Sequence, residues 1–228
     1  MLTGIGTPTA WPFFQRRGRP SITALGGAGG SGVLSIARAG VTVAVDDLLL
    51  VGVGWYRNPT TLLPTCNIDG NALTLNVQRN TSARISGAIF SLLIAAPLVN
   101  KTITVTWTAA PTHAALIASK VNLLAGNFVE GVTVAPALTA NPDSGLTADW
   151  GTDPSLHWGL VANQGDALAD NLGAWQNAMQ AGQRYGQALG VTIDLKEGYR
   201  FPLPSTTGRA QILGQTTRWS VPLIAYYE

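Results

Sequence analysis

The feature that most limits the fold of this chain is a series of short apolar segments separated by turn residues. Segment 33–45 is rich in β-branched residues and is broken once, at Gly40, and segment 46–57 is a longer apolar run. These segments are short and flanked by turn residues, which favours strands over buried helices. Turns recur roughly every eight to twelve residues, which is typical of a sandwich or barrel. The pattern therefore predicts an all-β protein with antiparallel sheets.

Two local patterns predict how parts of this sheet structure are built. Asp69-Gly70-Asn71 lies between alternating residues and is the strongest hairpin signal in the chain. In segment 46–57, one alternate set of residues is large, whereas the other contains Gly52 and Gly54. The glycines leave room on their face for a second layer or another subunit. We therefore expect the large set to face the sandwich interior: Leu49, Val51, Val53 and Trp55.

The pattern loosens after Gly126. Segment 132–154 has the composition of a loop, 155–165 is typical of a strand, and 166–189 is the only segment that predicts a helix, although glycines interrupt it. Residues 1–20 contain prolines and glycines and no strand pattern. We therefore expect an extended N-terminal arm (1–20), followed by one β-sandwich domain (21–228) with a loop and short helix inserted around 127–190.

The charge content is low for a soluble domain. Only 11% of the residues are Asp, Glu, Lys or Arg, where about 25% is usual. The most apolar window, 88–99, contains Pro97 and is too short for a bilayer, which needs roughly 20 residues. The first residues lack the basic and apolar regions of a signal peptide, and the single Cys66 suits a reducing compartment. We expect a self-associating protein, made in the cytoplasm and without membrane contact, whose surface is largely covered by partners.

Gly27–Gly32 matches the G-x-G-x-x-G pattern of dinucleotide-binding proteins. That function requires a helix directly after the glycines, because the helix N-terminus binds the pyrophosphate. Strand-type sequence follows here instead. We therefore expect a flexible glycine loop and no dinucleotide.

The residue types that carry catalysis form no recognisable pattern. His113 and His157 each lack a second ligand at zinc spacing, and no serine lies in a nucleophile elbow. The acids between Asp143 and Asp170 could bind calcium or cleave a glycosidic bond, but loop aspartates more often cap turns. We therefore expect a non-enzymatic protein without metal or cofactor. A polysaccharide-degrading enzyme that uses these acids is the weakest alternative.

The segment WPFFQRRGRP (11–20) concentrates aromatic and basic residues in the arm. Its prolines favour an extended backbone, which lowers the entropy lost on binding. Large aromatic side chains are typical anchors in interfaces, and guanidinium groups bind carboxylates in a bidentate manner. We expect no nucleic acid, because a net charge of +2 attracts phosphate only weakly. The arm residues expected to bind another subunit are Trp11, Phe13, Phe14, Arg16, Arg17 and Arg19.

The seven tryptophans are the other unusual feature. Four lie in predicted strands, and we expect most of them to be buried: Trp55, Trp107, Trp158 and Trp219. Trp150 and Trp175 lie in loop or weak helix context, with Tyr185 nearby. Aromatic residues in such positions contact other subunits or stack on sugar rings. These three residues are candidates for either contact.

The order of the segments is similar to a known group. VTVAVDDLLLVGVGW, DGNALTL, SGAIFSLLI, KTITVTW, HAALIASKVNLL, SLHWGLVAN and WSVPLIAYY resemble the jelly-roll-like sandwich domain of virion proteins from tailed bacteriophages. The resemblance covers roughly residues 33–165 and 210–228. The usual Gly-Asp before the long strand is Asp46-Asp47 here, and residues 1–20 and 166–190 have no counterpart.

The resemblance implies a capsid decoration or cement protein, or a head or tail accessory protein. Its partners would be the major capsid protein or other virion subunits, and it would reside in the virion after assembly in the host cytoplasm. We expect a homo-oligomer, with a trimer favoured because closed cyclic symmetry suits decoration sites on a lattice. The alternative is a carbohydrate-binding module on a spike or tail that recognises host polysaccharide.

Overall fold

The computed structural model describes residues 21–56, 62–80, 85–122, 128–132, 156–165, 172–176, 178–187, 192–201, 212–214 and 218–226. Within these residues the secondary structure is entirely β, and every strand pairing is antiparallel. The strands are β1 (Ile22–Ser31), β2 (Ser35–Val43), β3 (Leu48–Tyr56), β4 (Pro64–Ile68), β5 (Asn71–Ala72), β6 (Thr74–Asn80), β7 (Ile85–Leu93), β8 (Leu98–Trp107), β9 (His113–Val121), β10 (Phe128–Val132), β11 (Leu156–Gly165), β12 (Leu172–Trp175), β13 (Gln180–Gln187), β14 (Thr192–Arg200), β15 (Ile212–Gly214), β16 (Arg218–Ser220) and β17 (Leu223–Tyr226).

The first nine strands form a jelly-roll-like sandwich. Sheet A has the order β1-β9-β3-β7-β6, and sheet B has the order β2-β8-β4-β5. Partners are nested along the chain: β1 pairs with β9, β2 with β8, β3 with β7 and β4 with β5. Successive partners alternate between the two sheets, which is the topology of a jelly roll. The predicted all-β, jelly-roll-like sandwich is confirmed.

The later strands add a third sheet. Sheet C has the order β10-β17-β11-β14-β13, with β16 also paired to β11, and β12 and β15 form a separate pair. Sheet C packs on the face of sheet A that is opposite sheet B, and sheet A is therefore enclosed on both faces. Strand β3 shows this most clearly, because its residues from Leu48 to Trp55 are all buried.

The two faces of β3 serve different cores, as its sequence predicts. The large alternate set packs against sheet B: Leu49, Val51, Val53 and Trp55. On the other face, a Cβ on Gly52 would lie 2.9 Å from Leu160 Cδ1, and one on Gly54 would lie 2.5 Å from Leu195 Cδ2. The glycines therefore admit a second layer, which is sheet C of the same chain.

Other local predictions are also confirmed. Asp69 and Gly70 both have positive φ, 49° and 86°, and Ile68 pairs with Asn71, as a two-residue type I′ hairpin requires. Among the tryptophans expected in the core, three are buried: Trp55, Trp107 and Trp158.

Two predictions are wrong. The segment expected to be a helix contains β12 and β13, because its small residues let other chain segments approach closely: a Cβ on Gly182 would lie 2.7 Å from Glu197 Cγ. Gly27–Gly32 is not a flexible loop either, since residues up to Ser31 belong to β1. A Cβ at Gly27 would lie 2.5 Å from Tyr185 Cδ2, so this strand needs glycine for packing. Of the segment 132–154, expected to be a loop, Val132 ends β10 and residues 133–154 lie outside the described residues.

Candidate functional site

The predicted binding residues fall into two groups. Trp175 and Tyr185 lie within the described part of the chain. The others lie outside it, so their roles stay predictions: Trp11, Phe13, Phe14, Arg16, Arg17, Arg19 and Trp150.

Trp175 contacts other parts of its own chain. Only 9% of the residue is exposed, and it packs with Val161 and Met179. Its Nε1 donates a hydrogen bond to the Glu197 carbonyl oxygen at 3.0 Å. The indole also lies directly over Gly198, where any Cβ would collide with the ring. Most of this indole is thus engaged inside the protein.

Tyr185 is half-buried at the boundary between sheets A and C. Its ring packs over Gly27 of β1 and against the core that the two sheets share. The exposed part of the ring remains a candidate contact for another subunit or a glycan.

The most concentrated polar chemistry of the described residues surrounds Glu197, which is 1% exposed between sheets A and C. Trp158 Nε1 donates to Glu197 Oε1 at 2.7 Å. Ser119 Oγ and the Gln183 backbone N–H donate to Oε2 at 2.8 and 3.4 Å. The Gln183 side-chain amide donates to Ser119 Oγ at 2.9 Å and to the Ala118 carbonyl oxygen. We call Glu197, Trp158, Ser119 and Gln183 the glutamate cluster.

Burial and hydrogen bonding act in opposite directions on the Glu197 carboxyl group, and burial has the larger effect. Burial raises the pKa of Glu197 above its usual 4.5, while the hydrogen bonds from Trp158, Ser119 and Gln183 lower it. Ser119 belongs to β9 and Glu197 to β14, so the hydrogen bonds join sheet A to sheet C. Since the carboxylate is enclosed by these contacts, the cluster is suited to fixing the relative position of the two sheets.

The sequence contained a signal for this residue. In β14 the inward-facing positions alternate as Ile193, Leu195 and Glu197, of which the first two belong to the core between sheets A and C. A glutamate at a strand position that shares its face with buried apolar residues is expected to be buried and hydrogen-bonded. The partners on other strands cannot be read from the sequence.

His157 is also buried, next to Arg200 on the neighbouring strand. Its Nδ1 lies 3.1 Å from Arg200 Nε and 2.7 Å from Arg200 Nη2, and therefore accepts from the guanidinium. Burial and, second, the positive charge of Arg200 lower the pKa of His157 to about 4. The imidazole is consequently neutral at physiological pH.

The other histidine lies at the end of sheet A where β1 ends. Ser31 Oγ and His113 Nδ1 are 2.8 Å apart, and the Tyr56 ring lies 6.4 Å from the imidazole between ring centroids. Burial lowers the pKa of His113. A catalytic triad needs, besides a serine and a histidine, a third group that orients the base. The Ser31–His113 pair serves here as a contact between adjacent strands.

Metal-binding clusters and membrane-spanning helices are both absent from the described ranges. These residues contain no group of three or more His, Cys, Asp or Glu side chains that could hold a metal ion. They also contain no helix that is long and apolar enough to cross a membrane. Cys66 is buried, and burial raises the pKa of its thiol to about 12, which makes it an inert core residue.

The outer face of sheet B carries small, uncharged side chains in register across three strands. Ser35 pairs with Thr106, which pairs with Thr65, and the neighbouring row is Ala37, Thr104 and Asn67. We call these six residues the threonine face. Short side chains on adjacent strands make a flat surface, and these six carry no charge.

The end of the sandwich at which β7 ends carries several exposed apolar side chains. A hollow of about 180 Å³ lies there, and Asn71 is the polar member of its lining. Apolar side chains near it are solvent-exposed, at 45% for Leu93, 50% for Val45 and 66% for Val99. The lining residues are Asn71, Leu92, Leu93, Ile94, Ala95, Ala96 and Leu98.

Comparisons with known proteins assign neither a family nor a function. No family model matches the chain, and no curated protein or solved structure is significantly similar to it. The function must therefore be inferred from the residues and geometry described above.

Proposed function

We propose that this chain is a non-enzymatic structural subunit of a virion, of the capsid decoration, cement or head or tail accessory type. Jelly-roll sandwiches occur in viral capsid proteins, although they also occur in lectins and enzymes. The fold is therefore compatible with the proposal.

The observation that carries the proposal is a surface poor in charge. Acidic and basic residues make up 11% of the chain, and the threonine face presents none in its two rows. Soluble globular domains typically carry about 25% charged residues over the whole chain. A face that is flat and uncharged is better suited to contact with another subunit.

The buried polar groups support a non-enzymatic role. Glu197 and His157, two strongly buried titratable groups, are engaged in contacts between strands and sheets. Catalytic acids and bases instead face a cleft that a substrate can enter.

The partners would be the major capsid protein or other virion subunits, together with copies of the chain itself. The proposed binding segment is the arm, with Trp11, Phe13 and Phe14 as anchors and Arg16, Arg17 and Arg19 as partners of carboxylates. We propose a trimer, located in the virion after assembly in the host cytoplasm.

Deletion of residues 1–20 tests this proposal. We expect the truncated protein to fold, as judged by circular dichroism, but to be lost from sedimented particles on which the full chain is retained. Mass spectrometry of purified particles measures whether the protein is present at all. Unchanged occupancy after truncation would show that the arm does not bind, and a loss of salt-dependent DNA affinity would favour nucleic acid as the partner.

Carbohydrate binding is the second candidate. The threonine face presents hydroxyl and amide groups on well-ordered strands, and lectins are among the proteins built on jelly rolls. Binding of the full chain to a glycan array, with no association with particles, would favour this function over the first.

A further inference from the structure

The entrance of the chain into β1 and the apolar hollow lie at the same end of sheet A. Ile22 pairs with Val121, Val121 pairs with Leu48, and Leu48 pairs with Leu93. These four residues form one row across four adjacent strands. Adjacent strands are separated by about 4.8 Å, so Ile22 and Leu93 are about 14 Å apart.

The hollow has the size and lining of a site for an apolar ring. Its volume is about 180 Å³, and all its lining residues except Asn71 are apolar. A closed cavity of about 150 Å³ with an apolar lining binds benzene in another protein. A phenylalanine ring therefore fits this volume.

The exposed apolar surface around the hollow is too small for a whole-subunit interface. Leu93, Val45 and Val99 are between 45% and 66% exposed, and together they offer a few hundred Å² at most. A stable interface needs about 800 Å² on each partner. The occupant that this surface suits is a short segment with aromatic or aliphatic side chains.

The segment just before β1 has this composition and is long enough. Phe14 precedes Ser21 by seven residues, which span up to about 23 Å when extended, against the separation of about 14 Å. Trp11, Pro12 and Phe13 precede it directly.

The path passes the Lys120–Asp47 ion pair, whose Nζ and Oδ2 are 3.3 Å apart, and then one further carboxylate. Asp46, which is exposed, precedes Leu48 of the row and so lies between Ile22 and the hollow. In the sequence, Arg16 and Arg17 lie between Phe14 and Ser21. A segment that reaches from Ser21 to the hollow therefore brings its arginines past a carboxylate.

We propose that the hollow beside Leu93 binds the aromatic residues 11–14 of the same chain. The inference rests on the proposed function only in treating these aromatics as a binding segment. The hollow would bind this segment in the free subunit. A partner with higher affinity for the segment would then displace it from the hollow.

Limited trypsin digestion of the full-length protein tests the inference, because cleavage follows the fraction of time a segment is released. The substrate bonds are those after Arg16 and Arg17, and a synthetic peptide of residues 8–21 gives the rate for a free segment. Leu93→Gln places a polar group at the hollow. Ala96→Gln adds a longer side chain that reduces the volume of the hollow, and Ala96 is exposed. Leu34→Gln is the matched control, since Leu34 is 55% exposed beyond the opposite end of β1.

We expect the native protein to be cleaved at least about tenfold more slowly than the peptide, at a rate independent of protein concentration. Either hollow variant should restore the rate of the peptide, and Leu34→Gln should not. Equal rates for native protein and peptide, or equal effects of Leu34→Gln and the hollow variants, would overturn the inference. Faster cleavage on dilution would overturn it too, since the occupant would then be a second copy.

Failure of this inference can be distinguished from failure of the proposed function. If truncation of residues 1–20 abolishes particle binding while the hollow variants leave cleavage unchanged, the arm binds its partner and the hollow is not its site. If cleavage is protected but truncation leaves particle occupancy unchanged, the hollow binds the arm and the proposed role of the arm is wrong.

Discussion

Ser119→Ala removes one hydroxyl group from the glutamate cluster and leaves the shape of β9 almost unchanged. Glu197 Oε2 then keeps only its 3.4 Å contact with the Gln183 N–H, and the Gln183 side-chain amide loses one of its two acceptors. A hydrogen bond contributes about 1 kcal/mol when the carboxyl group is protonated and about 1.5–3 kcal/mol when it is ionised. We therefore expect the free energy of unfolding at neutral pH to fall by about 1–3 kcal/mol, which moves the urea midpoint by about 1 M.

Ser86→Ala is the matched control. Ser86 is as fully buried as Ser119, but its Oγ has no hydrogen-bond partner within the part of the chain that the structure describes. Removal of an unsatisfied buried hydroxyl should leave the stability unchanged or raise it. Urea unfolding followed by tryptophan fluorescence measures both variants. Equal losses of stability in the two variants, or a change under about 0.5 kcal/mol for Ser119→Ala, would refute the reasoning.

The same pair of variants provides a test by pH. Burial raises the pKa of Glu197, whereas the bond from Ser119 favours the ionised form. The effect of Ser119→Ala should therefore be greatest above this raised pKa and should shrink once the carboxyl is protonated, where a neutral hydrogen bond contributes only about 1 kcal/mol. An effect of the same size at acid and alkaline pH, over the range in which the protein stays folded, would contradict a hydrogen bond to an ionised carboxylate.

Three further variants test the packing of sheet A and the buried histidine. Gly54→Ala should lower the free energy of unfolding by about 1–3 kcal/mol, since the new Cβ would lie 2.5 Å from Leu195 Cδ2; a neutral result in urea unfolding would contradict the packing of sheet C on this face. Trp55→Ala should cost about 3–5 kcal/mol in the same assay, because the indole is fully buried, and a loss under about 1 kcal/mol would contradict that burial. The pKa of His157 is lowered from 6.5 to about 4, so the unfolded chain binds a proton before the folded one does, and stability should fall by up to about 3 kcal/mol as the pH drops through that range. His157→Gln should flatten this part of the stability profile measured by thermal unfolding, and an unchanged slope would assign the acid sensitivity to other groups.

The sequence predicts most accurately where local conformation and burial agree. Asp69-Gly70 can adopt two successive positive φ angles, so the hairpin follows from two residues. Strand β3 could be assigned to a two-sided environment because glycines and large side chains alternate along it. In both cases the decisive interactions depend on the residue types within a few positions of one another.

The errors and omissions arise where distant segments meet. The segment around Gly182 has small, helix-compatible residues, but the Glu197 side chain occupies the space over that glycine, and this contact makes it a strand. The glutamate cluster combines residues from β9, β11, β13 and β14. The sequence indicates only that Glu197 lies on the same face of β14 as the core residues before it. The hollow is formed by Asn71 and by segment 92–98, which the sequence gives no reason to bring together.

The position of sheet A between two other sheets has a consequence for synthesis on the ribosome. By Val121 every strand of sheets A and B has been made, but β11 and β14, which cover the second apolar face of sheet A, extend from Leu156 to Arg200. At roughly 5–20 residues per second, the 79 residues from 122 to 200 take about 4–16 s to make. During this interval Leu50 and Ile117 have no covering layer. Nascent chains that stall before β11 should therefore aggregate or recruit chaperones, whereas chains released after β14 should not.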